Sequence, residues 1–382
     1  VTSIAAHADG TTPAILEDAS MRVSLFSAAN ASAGSGSKLL IVSDDGSAKM
    51  QFKGQMQIRH MVNHREGVTP ENEHGFDSRR IRPKLAGSLQ NGKIPFSLIG
   101  DGRKGAFTLV DAWMGYVPGE GQRVRVGQYA APFSREEMLS SSKRLASDYS
   151  IANAAFTIDR SQGIEYRSRG EDWTTYFFVG DGVKELNTPF NAGSDYGVNV
   201  RAERKFGGTW KRFDDFVGWK GEETATLVGA AVHISGGQID ADSDGMFDDD
   251  FYDFRYTVDA GVEGDGWNAF AAFFGQNMDA QGMSEINSFG MTLQGGVFIT
   301  DDIDVFTQYA WADDDADLGE LSVLTVGFNK YISGHVIKLT VDASYAFEEI
   351  TSRYDNSSRA FLVDSMGEDG QIVIRTQLQL LF

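Results

Sequence analysis

The chain has 382 residues with 34 Lys+Arg against 54 Asp+Glu, a formal net charge of −20. That field excludes a general nucleic-acid binder, and the absence of Cys excludes disulfide scaffolds, thiolate metal sites and Cys nucleophiles. With 43 Gly, 12% aromatic residues and only 7 Pro, the composition is that of a turn-rich β protein rather than a disordered or collagenous one.

Residues 1–38 read as a separate N-terminal segment. Thr12-Pro13 marks a helix start, and Leu16, Ala19, Val23 and Phe26 follow at heptad spacing before a small-residue linker from Ala28 to Ser37. Two heptads are too few for a stable isolated helix, so a short oligomerisation helix and an unstructured tail both fit. Leu39 to Val42, before Asp44-Asp45-Gly46, reads as one additional short hairpin arm. Ala6-His7-Ala8 is A-x-A-like but has no apolar region ahead of it, so the expectation is a mature sequence.

From residue 39 to 382 the pattern changes. A mean hydropathy of −0.27 and the lack of any 18-residue apolar run exclude membrane-spanning helices, but not a barrel, whose lipid face hides in period-2 alternation. Sixteen alternating segments follow: 48–63, 76–90, 92–101, 106–117, 121–131, 160–169, 173–180, 194–206, 223–235, 250–260, 266–275, 287–299, 303–312, 318–330, 334–348 and 370–382. An even number suits a closed antiparallel transmembrane β-barrel, and the class is all-β. Connections alternate between long (64–75, 132–159, 181–193, 236–249, 276–286, 349–369) and tight (Asn91-Gly92, Pro118 to Gly121, Gly170 to Asp172, Thr300 to Asp302). One connection, about 207–222, is long where a tight turn is expected.

The last segment places Ile372, Ile374, Thr376, Leu378, Leu380 and Phe382 on one face and Gln371, Arg375, Gln377 and Gln379 on the other. In a barrel the first face meets lipid and the second lines water. Tyr116, Trp173, Trp267, Trp311 and Phe382, near segment ends, fit aromatic girdles.

Four stretches and the C-terminus then carry a resemblance. They are Phe76-Asp77-Ser78-Arg79-Arg80-Ile81-Arg82-Pro83-Lys84 with Leu85 to Leu89; Gly127 to Ser134 with Ser140-Ser141-Ser142-Lys143; Arg160 to Tyr166; and Val326 to Ser333, with Leu378-Gln379-Leu380-Leu381-Phe382 at the end. In order and spacing the chain resembles the phosphate-selective porins of the O and P type. The resemblance implies a sixteen-stranded, homotrimeric channel in the outer membrane of a Gram-negative-type bacterium. It also implies contact with outer-membrane lipid and lipopolysaccharide, a Phe382-terminated strand recognised by the barrel-assembly machinery, and a loop near 132–159 that folds inward to narrow the channel.

Residue parity selects candidates for the ion path. Arg80, Arg82 and Lys84 share one face of their segment, and the same rule turns Lys93, Arg123, Arg125, Arg167, Arg169 and Arg201 toward the lumen. Guanidinium groups match phosphate or carboxylate in bidentate fashion, so a row of them passes an anion between sites of moderate affinity; pairing with Glu165, Asp111 and Glu203 is the competing reading. In the inward loop the basic members are Arg135, Lys143 and Arg144, and the acidic ones Glu136, Glu137 and Asp148. Residues 223–382 hold only 6 basic groups against 28 acidic ones. Asp253, Asp259, Asp304 and Asp342 would thus form an acidic wall opposing anions.

Asp240, Asp242, Asp244 and Gly245, with Asp248 following, form the start of a calcium loop. The twelfth position is Phe251 instead of Glu, so a low-affinity external Ca²⁺ site is the expectation. No G-x-S-x-G, H-E-x-x-H or phosphate-loop pattern occurs, and no cofactor is required. The expected function is passive diffusion of small hydrophilic solutes and ions, with anions such as phosphate preferred, and no enzyme activity. The alternatives are a plugged structural or adhesion barrel and a soluble β protein.

Overall fold

The computed structural model describes residues 32–34, 38–190, 194–239, 249–316 and 319–382. The expected helix near the N-terminus and the stretch 240–248, with Asp240, Asp242, Asp244 and Asp248, lie outside the described residues. Two short strands, β1 (Ser32–Gly34) and β2 (Lys38–Val42), precede a ring of sixteen. The ring comprises β3 (Lys49–His64), β4 (Asn72–Leu89), β5 (Ile94–Asp101), β6 (Thr108–Tyr116), β7 (Gln122–Ala130), β8 (Arg160–Arg169), β9 (Trp173–Gly180) and β10 (Ser194–Phe206). It continues through β11 (Ala225–Ile239), β12 (Asp249–Glu263), β13 (Trp267–Ala280), β14 (Ile286–Phe298), β15 (Ile303–Asp314), β16 (Leu321–Ser333), β17 (Ile337–Ala346) and β18 (Ile372–Leu381).

Consecutive ring strands pair antiparallel, and β18 returns to β3 in a register running from Ile372↔His64 to Leu381↔Gln55. Closure removes the sheet edge that would otherwise template aggregation. Below β18, β2 occupies the same side of β3, from Leu39↔Phe52 to Val42↔Lys49, and β1 pairs with β2. The hairpin arm expected at Leu39 to Val42 is therefore present, outside the ring.

The ring inverts the burial of a soluble sandwich. On β18, Ile374 and Leu378 are exposed on the outside while Gln377 and Gln379 are buried inside; on β13, Trp267 and Phe273 face out and Asn268 and Phe274 face in. Apolar groups cover the exterior and polar groups line much of the interior, which is the pattern lipid imposes, while inward Phe274 belongs to an apolar cluster inside the ring. No described helix is long and apolar enough to cross a membrane.

The anomalous 207–224 connection has a packing reason. It lies at the short-turn end and folds into the barrel mouth, burying Phe213, Phe216 and Val217. Trp219 packs against Phe298 in a tilted contact and against Tyr331 and His335 edge-on, at ring distances of 5.5, 4.9 and 5.5 Å. It is a brace beneath the lumen, so its length reflects a hydrophobic contact inside the barrel instead of a reversal at its rim.

Candidate functional site: a divided lumen

The connection between β7 and β8, residues 131–159, lies inside the barrel. Two short helices give it shape. Ser134 Oγ accepts from the Glu137 amide at 3.2 Å to start Arg135–Met138, and Ser150 Oγ accepts from the Asn153 amide at 3.0 Å to start Ile151–Phe156. Buried Glu136 joins them, accepting from the Ser150 amide at 2.9 Å and the Ser150 hydroxyl at 2.8 Å.

The loop covers one wall. Its Phe133, Leu139, Leu145, Ile151 and Phe156 pack in one cluster with inward Phe270, Phe274, Phe298, Phe306 and Val323 of β13 to β16. An irregular segment also needs donors for its carbonyls, and the wall supplies them. Arg201 donates to Phe133 O at 2.8 Å, Arg255 to Phe156 O at 3.1 Å, Asn329 to Leu145 O at 3.0 Å and Lys338 to Arg144 O at 2.7 Å.

This arrangement corrects the reading of an acidic wall facing the solute. Asp253, Asp259, Asp304 and Asp342 do point inward, but they are buried and partnered: Asp253 by Arg255 at 2.6 Å, Asp259 by Arg201 at 2.7 Å, and Asp304 by the Tyr331 hydroxyl at 2.7 Å. Asp342 is bonded by Arg375 at 2.5 Å and by the Ser147 amide of the loop at 3.0 Å. Asp342 meets a loop amide directly, while Arg201 and Arg255 join wall carboxylates to loop carbonyls, and the acids are withdrawn from water.

Arg201 needs the same correction. It is 0% exposed and bonded to both Glu203 and Asp259. It reaches Asp259 two strands away because Gly229 lies between them, where a Cβ would collide with the guanidinium. Lys93 is exposed in the turn between β4 and β5, beyond the wall.

The open space follows the other wall. A cavity of about 1130 Å³ is lined by Arg79, Arg80, Arg82, Lys84, Arg123 and Arg125 from β4 and β7, by Lys53 of β3, and by Arg160 of β8. Lys143 and Arg144 of the loop line it too, whereas Arg135 turns away toward Glu203, 3.7 Å off, and donates to Phe213 O of the brace. Arg167 and Arg169 share the inward face of β8 with Glu165; Arg169 lies 4.9 Å over the Trp210 ring, at the brace.

The cations are held in place by carboxylates. Asp148 of the loop accepts from Arg59 at 3.0 Å, Arg79 at 3.0 Å, Arg80 at 2.6 Å and Arg144 at 3.4 Å. Burial alone would raise the Asp148 carboxyl, but Arg79, Arg80 and Arg59 outweigh it and hold it well below the ordinary carboxylate range. Further along, Arg82 pairs with Asp101 at 3.0 Å, and Arg160 bridges Asp111, Glu137 and Asp159 at 2.8, 3.1 and 3.2 Å. Glu165 takes Arg123 at 3.0 Å and also Arg125.

Two members were invisible to strand parity. Arg79 neighbours Arg80, so alternation turns it outward; yet Gln57 faces Arg80 while Arg59 faces Asp77, which inserts an extra residue into β4. This bulge aims both arginines inward, and both are buried. Arg359 belongs to the last long connection, 347–371, which also folds in and buries Ile350, Tyr354 and Phe361. Arg144 and Arg359 lie 4.3 and 4.2 Å over the Tyr149 ring.

Comparison with known proteins agrees with this geometry. Residues 51–209 match the family described as phosphate-selective porin O and P, a span covering the first eight ring strands almost completely. No curated protein matches the chain in sequence. Among solved structures, outer-membrane expressed OmpT of Vibrio cholerae superposes with a TM-score of 0.62 at 9% identity, covering 90% of this chain and 100% of that one. The anion-selective porin from Comamonas acidovorans gives 0.61 at 12% identity, covering 88% and 100%. The outer membrane channel DcaP of Acinetobacter baumannii gives 0.60 at 12%, covering 89% and 99%. At such identities the likeness to the solved structures is one of fold, that of an outer-membrane β-barrel, and over residues 51–209 the sequence is similar to the phosphate-selective porin O and P family.

Proposed function

We propose that the protein passes small hydrophilic solutes and ions by passive diffusion, prefers anions such as phosphate, and has no enzyme activity. One observation carries this reading: the open cavity runs along the cation-rich strands, while the loop seals the acidic ones. Guanidinium groups fixed by carboxylates are pre-organised donors, and a surplus of cations at a low-dielectric wall favours anions in transit. Single-channel recording under a KCl gradient, repeated with phosphate, tests it. Anion-directed reversal with phosphate block supports the proposal, and cation-directed reversal overturns the preference. No conductance from folded, heat-modifiable protein would favour the plugged structural or adhesion barrel.

The same proposal includes a homotrimer set in outer-membrane lipid and lipopolysaccharide, with the Phe382-terminated strand as the segment that the assembly machinery reads. The exposed outer apolar face of β18 and the terminal aromatic ring support these contacts. Asp240, Asp242, Asp244 and Asp248 are proposed as a low-affinity external Ca²⁺ site. Calorimetric titration with Ca²⁺ should give a heat signal that Asp240/Asp242/Asp244→Asn loses.

A further inference from the structure

We propose that the outer wall of the barrel binds the phosphodiester of a membrane phospholipid at Arg204, flanked by the rings of Trp173 and Phe206. The inference rests on the reading of the chain as an outer-membrane barrel and goes beyond solute passage, because the site faces away from the lumen. Along β10 the side chains alternate: Arg201, Glu203 and Lys205 are buried inward, whereas Arg204 and Phe206 are exposed outward. Elsewhere in the ring Arg59, Arg80, Arg123, Arg255 and Arg375 turn inward, and each meets a carboxylate. Arg204 makes no ion pair among the described residues, although its β10 neighbours Arg201 and Lys205 both do.

Its place in the sheet supplies rings but no acid. Arg204 lies opposite Trp173 on β9 and Val228 on β11, and the next outward positions on those strands are Thr175, Thr226 and Ala230. The guanidinium carbon is 5.1 Å from the centre of the Trp173 ring and 4.7 Å from that of Phe206, and both rings are exposed. Neither contact provides an oxygen. Asp172, in the turn before β9, is taken by Lys205 at 2.8 Å. A guanidinium keeps its charge in any surroundings, so the N–H fork of Arg204 is left to an external acceptor.

Position along the strand identifies that acceptor. Trp173 opens β9 after the tight turn at 170–172 and Phe206 closes β10, so the three residues lie at the short-turn rim, the periplasmic side of an outer-membrane barrel. Arg204 is two residues from the end of β10, a rise of about 7 Å, and a lipid-facing charge near the rim costs far less than one at the midplane. At this level the wall meets phospholipid headgroups. The two unbridged oxygens of a phosphodiester match the guanidinium fork in bidentate fashion, and the glycerol and first acyl carbons of the same lipid would rest on the exposed rings. Inorganic phosphate would engage the fork alone and leave both rings uncovered, so the arrangement favours the lipid.

Native mass spectrometry of the full chain, folded in detergent and titrated with dioleoylphosphatidylglycerol, tests the assignment. Dioleoylglycerol, with the same acyl chains and no phosphate, and inorganic phosphate are the comparison ligands. The phospholipid should bind several-fold more tightly than dioleoylglycerol, Arg204→Gln should bring the two to equal affinity, and Arg204→Lys should restore part of the difference. Phospholipid binding that Arg204→Gln leaves unchanged overturns the proposal. Inorganic phosphate that binds through Arg204 as tightly as the phospholipid makes the ligand a free anion and overturns the lipid assignment. Loss of oligomer mass in Arg204→Gln with lipid binding unaltered places Arg204 between copies of the chain and also overturns it. The membrane reading fails separately: wild-type protein that neither inserts into phospholipid vesicles nor gives a heat-modifiable gel band refutes the barrel, whereas an inserted, heat-modifiable Arg204→Gln protein with wild-type lipid affinity refutes this site alone.

Discussion

Arg80 Nη2 stands 2.6 Å from Asp148 Oδ1, and this bond joins the bulged wall strand β4 to the loop that divides the lumen. Asp148 is 2% exposed and accepts from three other arginines. Asp148→Asn would keep the shape but leave four guanidinium groups facing one another, and breaking a buried pair of this kind costs about 3–5 kcal/mol. The expected outcome is a lower unfolding midpoint and a noisier, larger single-channel conductance as the loop loosens. Wild-type conductance in a folded Asp148→Asn protein would remove Asp148 as the anchor.

The cations of β4 offer a more direct test of selectivity. Arg80, Arg82 and Lys84 line the large cavity together. A unit charge about 4 Å from a permeating ion contributes on the order of 1 kcal/mol at the dielectric of water and more beside a protein wall. Replacing all three with Gln should therefore shift reversal potential toward cations and lower the chloride-to-potassium permeability ratio several-fold. An unchanged reversal potential would take them out of the ion path.

Much of this architecture was legible from residue order because a barrel wall obeys a rule of period two. Ile374 and Gln377 on β18 could be assigned to opposite faces from sequence alone, and their burial agrees. Strands β8, β9 and β10 begin and end where alternation places them. The rule fails where the backbone breaks it: Arg79 is turned inward by a bulge, and a bulge has no signature in alternation. Parity also specifies which face a residue occupies but not what lies above it. Asp253 and Asp342 are inward as expected, yet only the path of the 131–159 loop, fixed by contacts between distant segments, decides that they are covered. Arg359 and Phe216 were missed for the same reason, since both enter the lumen on connections whose course depends on long-range packing.

The brace from 207 to 224 should matter to the constriction, although it approaches from the opposite end. Phe216 packs on Phe270 with ring centroids 4.8 Å apart, its amide donates to Lys143 O at 3.3 Å, and Asp215 holds His335 at 3.1 Å. Burial of the His335 ring pushes its pKa below the ordinary histidine value despite the Asp215 contact, so the contact is mainly a hydrogen bond near neutral pH. Phe216→Ala removes a buried aromatic, a change that costs about 3–5 kcal/mol. Expected results are a lower unfolding midpoint together with increased open-channel noise, because the loop loses support at Lys143. A lower midpoint with unaltered noise would restrict the brace to stability.

Glu137 gives the channel a pH dependence that can be worked out in sign. It lines the large cavity within the loop, shares Arg160 with Asp111 and Asp159, and has a buried Oε2 without a hydrogen-bond partner. Burial, reinforced by the Asp159 charge, pushes its carboxyl from 4.5 up to about 7. Below that pH the group is neutral and the cavity keeps its full surplus of cations; above it a negative charge appears beside Arg160. Anion preference should therefore be greater at about pH 5.5 than at about pH 8.5, with the change centred near the shifted value. Linkage runs the same way: the folded state binds this proton more tightly than the unfolded chain, so the stabilisation is complete below 4.5 and is lost as pH rises through about 7. Glu137→Gln should abolish both changes and hold the low-pH selectivity at every pH. Reversal potentials recorded across that window for wild type and variant decide the matter, and a wild-type profile that is flat, or one that Glu137→Gln leaves sloping, would assign the titration elsewhere.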